Sequence, residues 1–527
     1  MKTLVLALDG FDANLLSLNE FSTLRALYRE RVASPLMSTI PYTTPTAFAT
    51  MQTGKDLGKH GISGFLKFDG STKSRLYTGS DIEDRTFYEM LHEHGKKCFI
   101  MGLPYNYPPK IPGDLVFDWL SGKSNKSLVY PSRLADDFPG LAELLDFPDH
   151  ASTLDQFMER VQSETKKSLE IIMKVIRSRK YDFCFFYVPA PDRIQHKIAV
   201  DIMEESNSNS VRIAKQTFAE IDNCIKTINS ELRHDESLII MSDHGFTTYD
   251  YQFFMNDWLR ENGYLVYGSS DISSDDRSMR MKLRYANDIN TNMDRLRTVR
   301  IPKSVGKLIR RHHTFRKLAQ PLRMKLERGL GWSIIDSPNV NLEKSTAVCF
   351  ETGEQGIYLN RKILSMKEIE DTKKELVGKL SSGGIHAYDK NQLYTGSKLS
   401  NIADIYLEST KYCFGLGVGG TGFERVKVGD HRREGIMLLL GNSFANRPIN
   451  VPTLFDLAPT ILHLLNVPVP VDMQGRVLTE CFAASSELAS RETKYVESSS
   501  SSSQQATVMN ADEEEIVKER LKSLGYI

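Results

Sequence analysis

The chain has 527 residues, of which 40% are hydrophobic and 25% are charged, as in an ordinary globular protein. Its 67 basic and 67 acidic residues give a formal net charge of zero, so no overall field points to nucleic acid or to an anionic membrane as a partner. This length accommodates one large domain with insertions or several smaller domains.

Two sequence features bear on the location of the protein. The six cysteines form no C-x-x-C pair, and several lie in apolar runs, as Cys184 does in "FCFFYV". This is typical of reduced core thiols. The N-terminal "MKTLVLALDGFD" has too few apolar residues for a signal peptide, and no stretch approaches the roughly 20 apolar residues that span a bilayer. We therefore expect a soluble, cytoplasmic protein without a transmembrane segment.

Apolar runs alternate with helical patterns along the chain. The sequence predicts strands at 3–8, 97–104, 181–192, 237–242 and 435–442. It predicts helices at 15–30, 153–178, 206–231 and 453–466, and a β-rich segment at 345–360. This alternation indicates an α/β fold with a doubly wound, mostly parallel sheet and helices on both of its faces.

Composition divides the chain into a core, an insertion and a tail. The predicted segments are a first core part at 1–267, a cap insertion at 268–345, a second core part at 346–485, a Ser-rich flexible linker at 486–510 and a C-terminal tail helix at 511–527.

The cap insertion is basic. Residues 295–328 hold about a dozen Lys and Arg, few acids, and apolar residues at helical spacing. This face is suited to contact an anionic substrate, a lipid or a nucleic acid. The alternative is a solvated helix surface.

Acidic and imidazole side chains occur at or near the ends of predicted strands, where open α/β sheets bind their ligands. They are Asp9 in "LALDGFD", Asp192 and His196 in "PAPDRIQHK", Asp243 and His244 in "SDHGF", and His431 in "VGDHRREGI". Each segment alone has an ordinary explanation: a helix cap, a surface hydrogen bond, a polar turn or a surface histidine.

Together, these three aspartates and three histidines suit two divalent cations with three protein ligands each and open positions for a substrate. Mixed oxygen and nitrogen ligands favour Zn²⁺, with Mn²⁺ as an alternative. Two such ions about 4 Å apart are suited to clamp a phosphoryl group during in-line displacement.

The segment "TIPYTTPTAF" offers a nucleophile. Thr44 as an N-cap followed by Pro45 at the first helical position predicts a helix start, where free N–H groups can bind an anion. A hydroxyl at this position, bound to a cation, could attack phosphorus. The alternatives are that Thr44 only caps the helix, or that Thr43 is the nucleophile.

In this order, Asp9, "TPTAFATMQTG…KHGI", "PDRIQH", "SDHGF" and "GDHRREGI" resemble the motifs of the alkaline phosphatase superfamily, and most closely its type I phosphodiesterase/nucleotide pyrophosphatase branch. The resemblance covers roughly 1–260 and 345–480. It implies an alkaline phosphatase-like core and a metal-dependent phosphoester hydrolase that acts on a small-molecule or lipid-linked phosphoester.

The resemblance also implies a role for each site residue. Thr44 would be the nucleophile, because it lies nine residues before Thr53, as the family nucleophile does before its "TG". It would form a phospho-threonine that water then hydrolyses. One ion would be held by Asp9, Thr44, Asp243 and His244, and the other by Asp192, His196 and His431.

The sequence departs from the family at one position. Nucleotide pyrophosphatases carry an Asn shortly after "HG", where this chain has Phe65. A phosphomonoesterase or a phosphomutase of the same superfamily is therefore an alternative, and a non-catalytic polyanion-binding protein is a second one. A sulfatase is disfavoured, because "TTPTAF" lacks the C/S-x-P-x-R nucleophile pattern.

Overall fold

The computed structural model describes residues 2–524 apart from 69–73, 124, 145–152, 268–277, 286–297, 303–331, 335–339, 351–352, 418–419, 448, 499–508 and 510. Within these residues the helices are α1 (Ala13–Leu16), α2 (Ser22–Glu30), α3 (Thr44–Thr53), α4 (Leu57–His60), α5 (Phe87–Glu93), α6 (Leu134–Asp137), α7 (Leu154–Ser178), α8 (Ala190–Met203), α9 (Asn209–Glu231), α10 (Met255–Glu261), α11 (Met366–Ser382), α12 (Lys390–Leu393), α13 (Leu457–Leu464), α14 (Glu487–Ser490) and α15 (Ala511–Leu524).

The strands of the described residues are β1 (Lys2–Leu8), β2 (Val32–Met37), β3 (Leu66–Phe68), β4 (Ser74–Leu76), β5 (Cys98–Met101), β6 (Asp114–Val116), β7 (Val129–Tyr130), β8 (Phe183–Val188), β9 (Glu236–Met241), β10 (Gly245–Phe254), β11 (Ser278–Tyr285), β12 (Thr298–Pro302), β13 (Trp332–Ile334), β14 (Ala347–Val348), β15 (Gly356–Leu359), β16 (His386–Asp389), β17 (Ile405–Glu408), β18 (Tyr412–Gly415), β19 (Phe423–Arg432), β20 (Glu434–Leu440), β21 (Val469–Pro470) and β22 (Tyr495–Val496).

The central sheet has eight strands in the order β2–β20–β9–β1–β8–β5–β6–β7. The inner strands from β9 to β6 run parallel. The late strand β20 runs antiparallel to both of its neighbours, and β7 runs antiparallel to β6. The predicted doubly wound, mostly parallel sheet is therefore confirmed, with antiparallel pairs near its two edges.

Helices explain why the inner strands are apolar throughout. Helices α2, α7, α8 and α9 pack against one another, and α3, α5 and α13 form a second packed group. Strand β8 is buried at all six positions, and β9 likewise. A strand covered on both faces has no polar side to expose, so its sequence is a continuous apolar run.

Two of the smaller sheets in the described residues bear on the site and its surroundings. The antiparallel sheet β14–β15–β17–β16 packs with α11 around its own hydrophobic core, which includes Leu376 and Ile405. The mixed sheet β18–β10–β19 begins only four residues after β9 and contacts β20. This second sheet matters for the site because β19 contributes a histidine.

In the part of the insertion that the structure describes, the secondary structure differs from the prediction. Strand β12 (Thr298–Pro302) pairs with β11 inside the segment 295–328 for which the sequence predicts a helix. The stretch "TVRIP" holds three β-branched residues and a Pro, which favour extended backbone. Residues 303–331 lie outside the described residues, so the polyanion contact of this segment stays a prediction.

The six cysteines are buried and unpaired. Within the described part of the chain, every helix is too short or too polar to cross a membrane.

Candidate active site

Side chains from different elements form a first triad beyond the ends of the parallel strands. It consists of Asp192, His196 and His431, whose ligand atoms all lie within 4.8 Å of one another. Asp192 Oδ1 lies 3.3 Å from Nε2 of each histidine. The two Nε2 atoms are 2.9 Å apart. Three donor atoms at this spacing can hold a single cation.

A second triad lies directly beside the first. His244 Nε2 is 3.6 Å from Asp9 Oδ1 and 3.3 Å from Asp243 Oδ2. The rings of His244 and His431 stack with their centroids 3.9 Å apart, so the two triads share a boundary. Thr44 Oγ1 lies 3.2 Å from His244 Nε2. The hydroxyl therefore stands at the edge of the second triad.

Helix α8 places two ligands of the first triad. Asp192 lies in its first turn and His196 follows four residues later, on the same helix face. The strand predicted at 181–192 ends earlier, at Val188, because the two prolines that follow belong to the start of a helix. Pro189 is the N-cap of α8, and Pro191 lies in its first turn, where the missing N–H costs no helical hydrogen bond.

His431 comes from the second sheet rather than from the approach to β20. It lies on β19 opposite Phe246 of β10, in an antiparallel pair. The Tyr249 hydroxyl donates a 2.9 Å hydrogen bond to the His431 carbonyl. The pairing of two strands thus carries an imidazole from late in the chain to ligands contributed by α8.

Thr44 lies one position further into its helix than the sequence predicts. The Thr43 carbonyl accepts the first helical hydrogen bond, from Ala47 N–H at 2.9 Å, which makes Thr43 the N-cap. Neither side chain caps the helix. The Thr43 hydroxyl is buried and makes no hydrogen bond within the described residues. Thr44 is the first residue of the helix, and its hydroxyl lies beside His244.

In the second triad, burial disfavours the charged forms of Asp9 and His244 as long as no cation is bound. Burial, followed by the proximity of Asp243 and Asp192, raises the pKa of Asp9 well above its ordinary value. Burial also lowers the pKa of His244 to about 4, so this imidazole is neutral at physiological pH and able to act as a ligand.

In the first triad, the two histidines stabilise the charge of the aspartate. Burial by itself would raise the pKa of Asp192, but His196 and His431 hold the pKa of that carboxyl well below its usual range. In the same way, burial opposes protonation of His431, while Asp192 raises its pKa. A cation that displaced these protons would bind the same three atoms.

The residues present fit divalent cations. Asp9 Oδ1 and Asp243 Oδ2 are buried and accept no hydrogen bond from the described residues. A buried carboxylate oxygen without a donor is costly unless a cation compensates it. Three aspartates and three histidines, at these distances, match the ligand types of Zn²⁺ or Mn²⁺.

Two residues that the sequence does not single out hold the carboxylates in place. The Tyr187 hydroxyl donates a hydrogen bond to Asp9 Oδ2. Gly10 has a φ of +62°, and a Cβ atom at this position would lie only 2.9 Å from Asp192 Oδ1. The available signals were a Tyr within the apolar run of β8 and a Gly directly after Asp9.

Phe65 stands where the motif of the nucleotide pyrophosphatases has an Asn. Its side chain is buried beside another aromatic ring. Its ring lies 6.0 Å from that of Trp119, centroid to centroid. Trp119 in turn lines a small cavity that reaches Tyr187 and Arg193. The cavity therefore adjoins residues next to both triads.

Comparison with known proteins identifies the family. A sequence model of the type I phosphodiesterases/nucleotide pyrophosphatases matches residues 3–329. The chain belongs to this family. As a type I phosphodiesterase/nucleotide pyrophosphatase, it is a member of the alkaline phosphatase superfamily and of a family of phosphoester hydrolases, as its motifs predict. A search of curated proteins finds no match.

Solved structures match most of the chain at low sequence identity. Human ectonucleotide pyrophosphatase/phosphodiesterase 5 matches with a TM-score of 0.50 and 13% identity over 92% of this chain and 100% of its own. Phosphonoacetate hydrolase from Sinorhizobium meliloti 1021 has a TM-score of 0.49 and 12% identity, covering 89% and 95%. The alkaline phosphatase PafA has a TM-score of 0.48 and 12% identity, covering 91% and 98%. At 13% identity, the likeness to the human protein bears on the fold alone.

Proposed function

We propose that this family member is a two-cation phosphodiesterase that works through a phospho-threonine on Thr44. One observation carries the proposal: the Thr44 hydroxyl lies 3.2 Å from His244 Nε2, beside the boundary at which the two triads meet. The cations would be held by Asp9, Asp243, His244 and Thr44 on one side and by Asp192, His196 and His431 on the other.

The chain's own residues define a path for the reaction. When bound, the cations would supply Lewis-acid polarisation of the phosphoryl group. The first turn of α3 presents free N–H groups to phosphoryl oxygens. Thr44 Oγ1 would lose its proton and bond to phosphorus as one ester oxygen leaves and is protonated to an alcohol, so that the phospho-threonine keeps the other ester group. Water attacks the phospho-threonine, releases a phosphate monoester and restores the Thr44 hydroxyl.

We also propose that the substrate carries an apolar group. The cavity beside the triads is lined largely by apolar side chains, among them Met101, Val116 and Val161. It reaches Tyr187, whose hydroxyl holds Asp9. Phe65 further removes the polar side chain that family nucleotide pyrophosphatases use on phosphate. These features favour an apolar diester, including a lipid-linked one, over a nucleotide.

The proposal is tested with zinc-loaded protein and two chromogenic esters, bis-p-nitrophenyl phosphate and p-nitrophenyl phosphate. We expect wild type to prefer the diester. Thr44→Ala should lower kcat on the diester by a factor on the order of 10³ or more, because the nucleophile is lost, while it keeps much of its zinc. Thr43→Ala is the matched control and should stay within a few-fold of wild type.

The outcome also separates the alternatives. Acid-quenched wild type should contain a phosphorylated peptide with the mass shift on Thr44. Equal turnover by Thr44→Ala would overturn the proposed nucleophile. Faster turnover of the monoester would favour a phosphomonoesterase or phosphomutase. Absence of all hydrolysis, together with salt-dependent binding of polyanions, would favour the binding-protein alternative. A cytoplasmic location and the choice of Zn²⁺ are parts of the same proposal.

A further inference from the structure

The C-terminal helix α15 packs on the core of its own chain. Val517, Arg520 and Leu521 lie on one face of it, at spacings of three and four residues, and all three are buried. Met509, just before the helix, is buried as well. A Ser-rich stretch precedes this segment, so the helix is a distinct element that returns to the core near residue 119.

Helix α15 binds one short turn of the core. The Arg520 guanidinium donates a 2.8 Å hydrogen bond to the carbonyl of Trp119. Lys123, four residues further on, forms an ion pair with Glu513. Between them, Gly122 approaches the helix so closely that a Cβ atom there would lie 2.7 Å from the Glu513 carbonyl oxygen. The C-terminal helix therefore contacts the turn 119–123 at Trp119, Gly122 and Lys123.

The turn that α15 holds also forms part of the cavity wall. The Trp119 side chain lines the cavity, and its ring packs against Phe65. Tyr187 and Arg193, the residue after Asp192, line the same cavity. A shift of the turn would therefore change the shape of this cavity, whose lining includes the partner of Asp9 and the neighbour of Asp192.

We propose that the C-terminal helix is a positioning element that sets the enzyme's selectivity for the apolar group of its substrate. Arg520 acts through Trp119, because its contact is to the Trp119 backbone and not to the cavity. The inference rests on the proposed function, in that it requires hydrolysis of a diester whose apolar group occupies the cavity. It adds the tail of the chain to the determinants of specificity.

The test uses the full zinc-loaded chain and two diesters with the same leaving group, methyl p-nitrophenyl phosphate and phenyl p-nitrophenyl phosphate. Arg520→Ala should raise KM for the phenyl diester about tenfold, which corresponds to about 1.4 kcal/mol. It should change kcat for either diester and KM for the methyl diester by less than about twofold. Arg520→Lys, which keeps a donor, should restore part of the loss.

Controls separate positioning from general damage. Lys518→Ala removes an ion pair with Glu514 inside the same helix and should behave as wild type. Val517→Asp should undock the helix, increase amide hydrogen exchange at residues 119–123 and reproduce the effect of Arg520→Ala. Equal losses on both diesters, or faster exchange at 119–123 with unchanged selectivity, would overturn the inference while leaving the proposed function intact. Failure of wild type to hydrolyse either diester would contradict both.

Discussion

At the scale of single residues, the positions of the carboxylates depend on neighbours that carry no ligand atom. Gly10 allows the backbone after Asp9 to pass within van der Waals contact of Asp192. Its N–H lies 3.4 Å from Asp243 Oδ1. One residue thus touches the aspartates of both triads.

We predict that Gly10→Ala lowers metal occupancy. A Cβ atom at 2.9 Å from Asp192 Oδ1, on a backbone with φ of +62°, forces Asp192 or the chain to move. Metal analysis after equilibration with limiting zinc should show substoichiometric binding, with turnover reduced in proportion. Two bound ions and wild-type turnover would contradict this view of Gly10.

Tyr187→Phe tests the second residue that positions a carboxylate of the triads. It removes only the hydroxyl that donates to Asp9 Oδ2. Partners of this kind orient ligands, and their loss typically weakens metal binding by a factor of about 10 to 100. A chelator competition should detect that loss for one of the two ions. Unchanged affinity at both sites would mean that Asp9 is oriented without Tyr187.

At the scale of elements, much of the site follows from strand ends. Asp9 and the pair Asp243–His244 could be located from the sequence, because apolar parallel strands end where ligands bind. His431 could be singled out, but its strand could not be placed, since β19 depends on pairing with β10 far away in sequence. The role of Tyr187, which lies inside an apolar run, could not be predicted for the same reason: only the fold brings its hydroxyl to Asp9.

The sheet β14–β15–β17–β16 has a buried acid beside one of its strands. Glu354, next to β15, accepts a hydrogen bond from Tyr358 and interacts with Ser63, and burial raises its pKa from 4.5 to about 7. Between these pH values the folded protein binds more protons at this site than the unfolded protein does, so stability falls as the pH rises.

We therefore predict a pH-dependent effect of Glu354→Gln. Near pH 5 the neutral acid and the amide should give similar stability. By pH 8 the variant should gain up to about 3 kcal/mol relative to wild type, because it avoids burying a charge. Thermal midpoints of both proteins across this range provide the measurement. A difference between the two that does not vary with pH would be inconsistent with a raised pKa.

At the scale of the whole molecule, the site joins the first half of the chain to its end. Asp9, Asp243 and His244 follow strands of the central sheet, and α8 supplies Asp192 and His196. Thr44 is the first residue of α3, and β19 adds the last imidazole, His431. Cations bound there would tie the two sheets together. The sequence pattern predicts individual segments, including the tail helix α15. It does not predict which distant segments contact one another.

Metal removal should accordingly destabilise the whole fold. At a zinc concentration 100 times the dissociation constant, binding contributes about 2.7 kcal/mol per site. Two occupied sites together correspond to a rise in Tm of roughly 5 °C for a chain of this length. Calorimetry with zinc and with a chelator would measure this, and Asp192→Asn should show a smaller rise. Identical Tm values for the wild type under both conditions would argue against a cation site.

Anomalous diffraction from crystals of the zinc-loaded protein tests the central claim most directly. We predict two peaks about 4 Å apart, one among Asp192, His196 and His431 and one among Asp9, Asp243 and His244, with Thr44 Oγ1 beside the second. A single peak, or peaks elsewhere in the molecule with these side chains unengaged, would contradict a two-cation phosphodiesterase site.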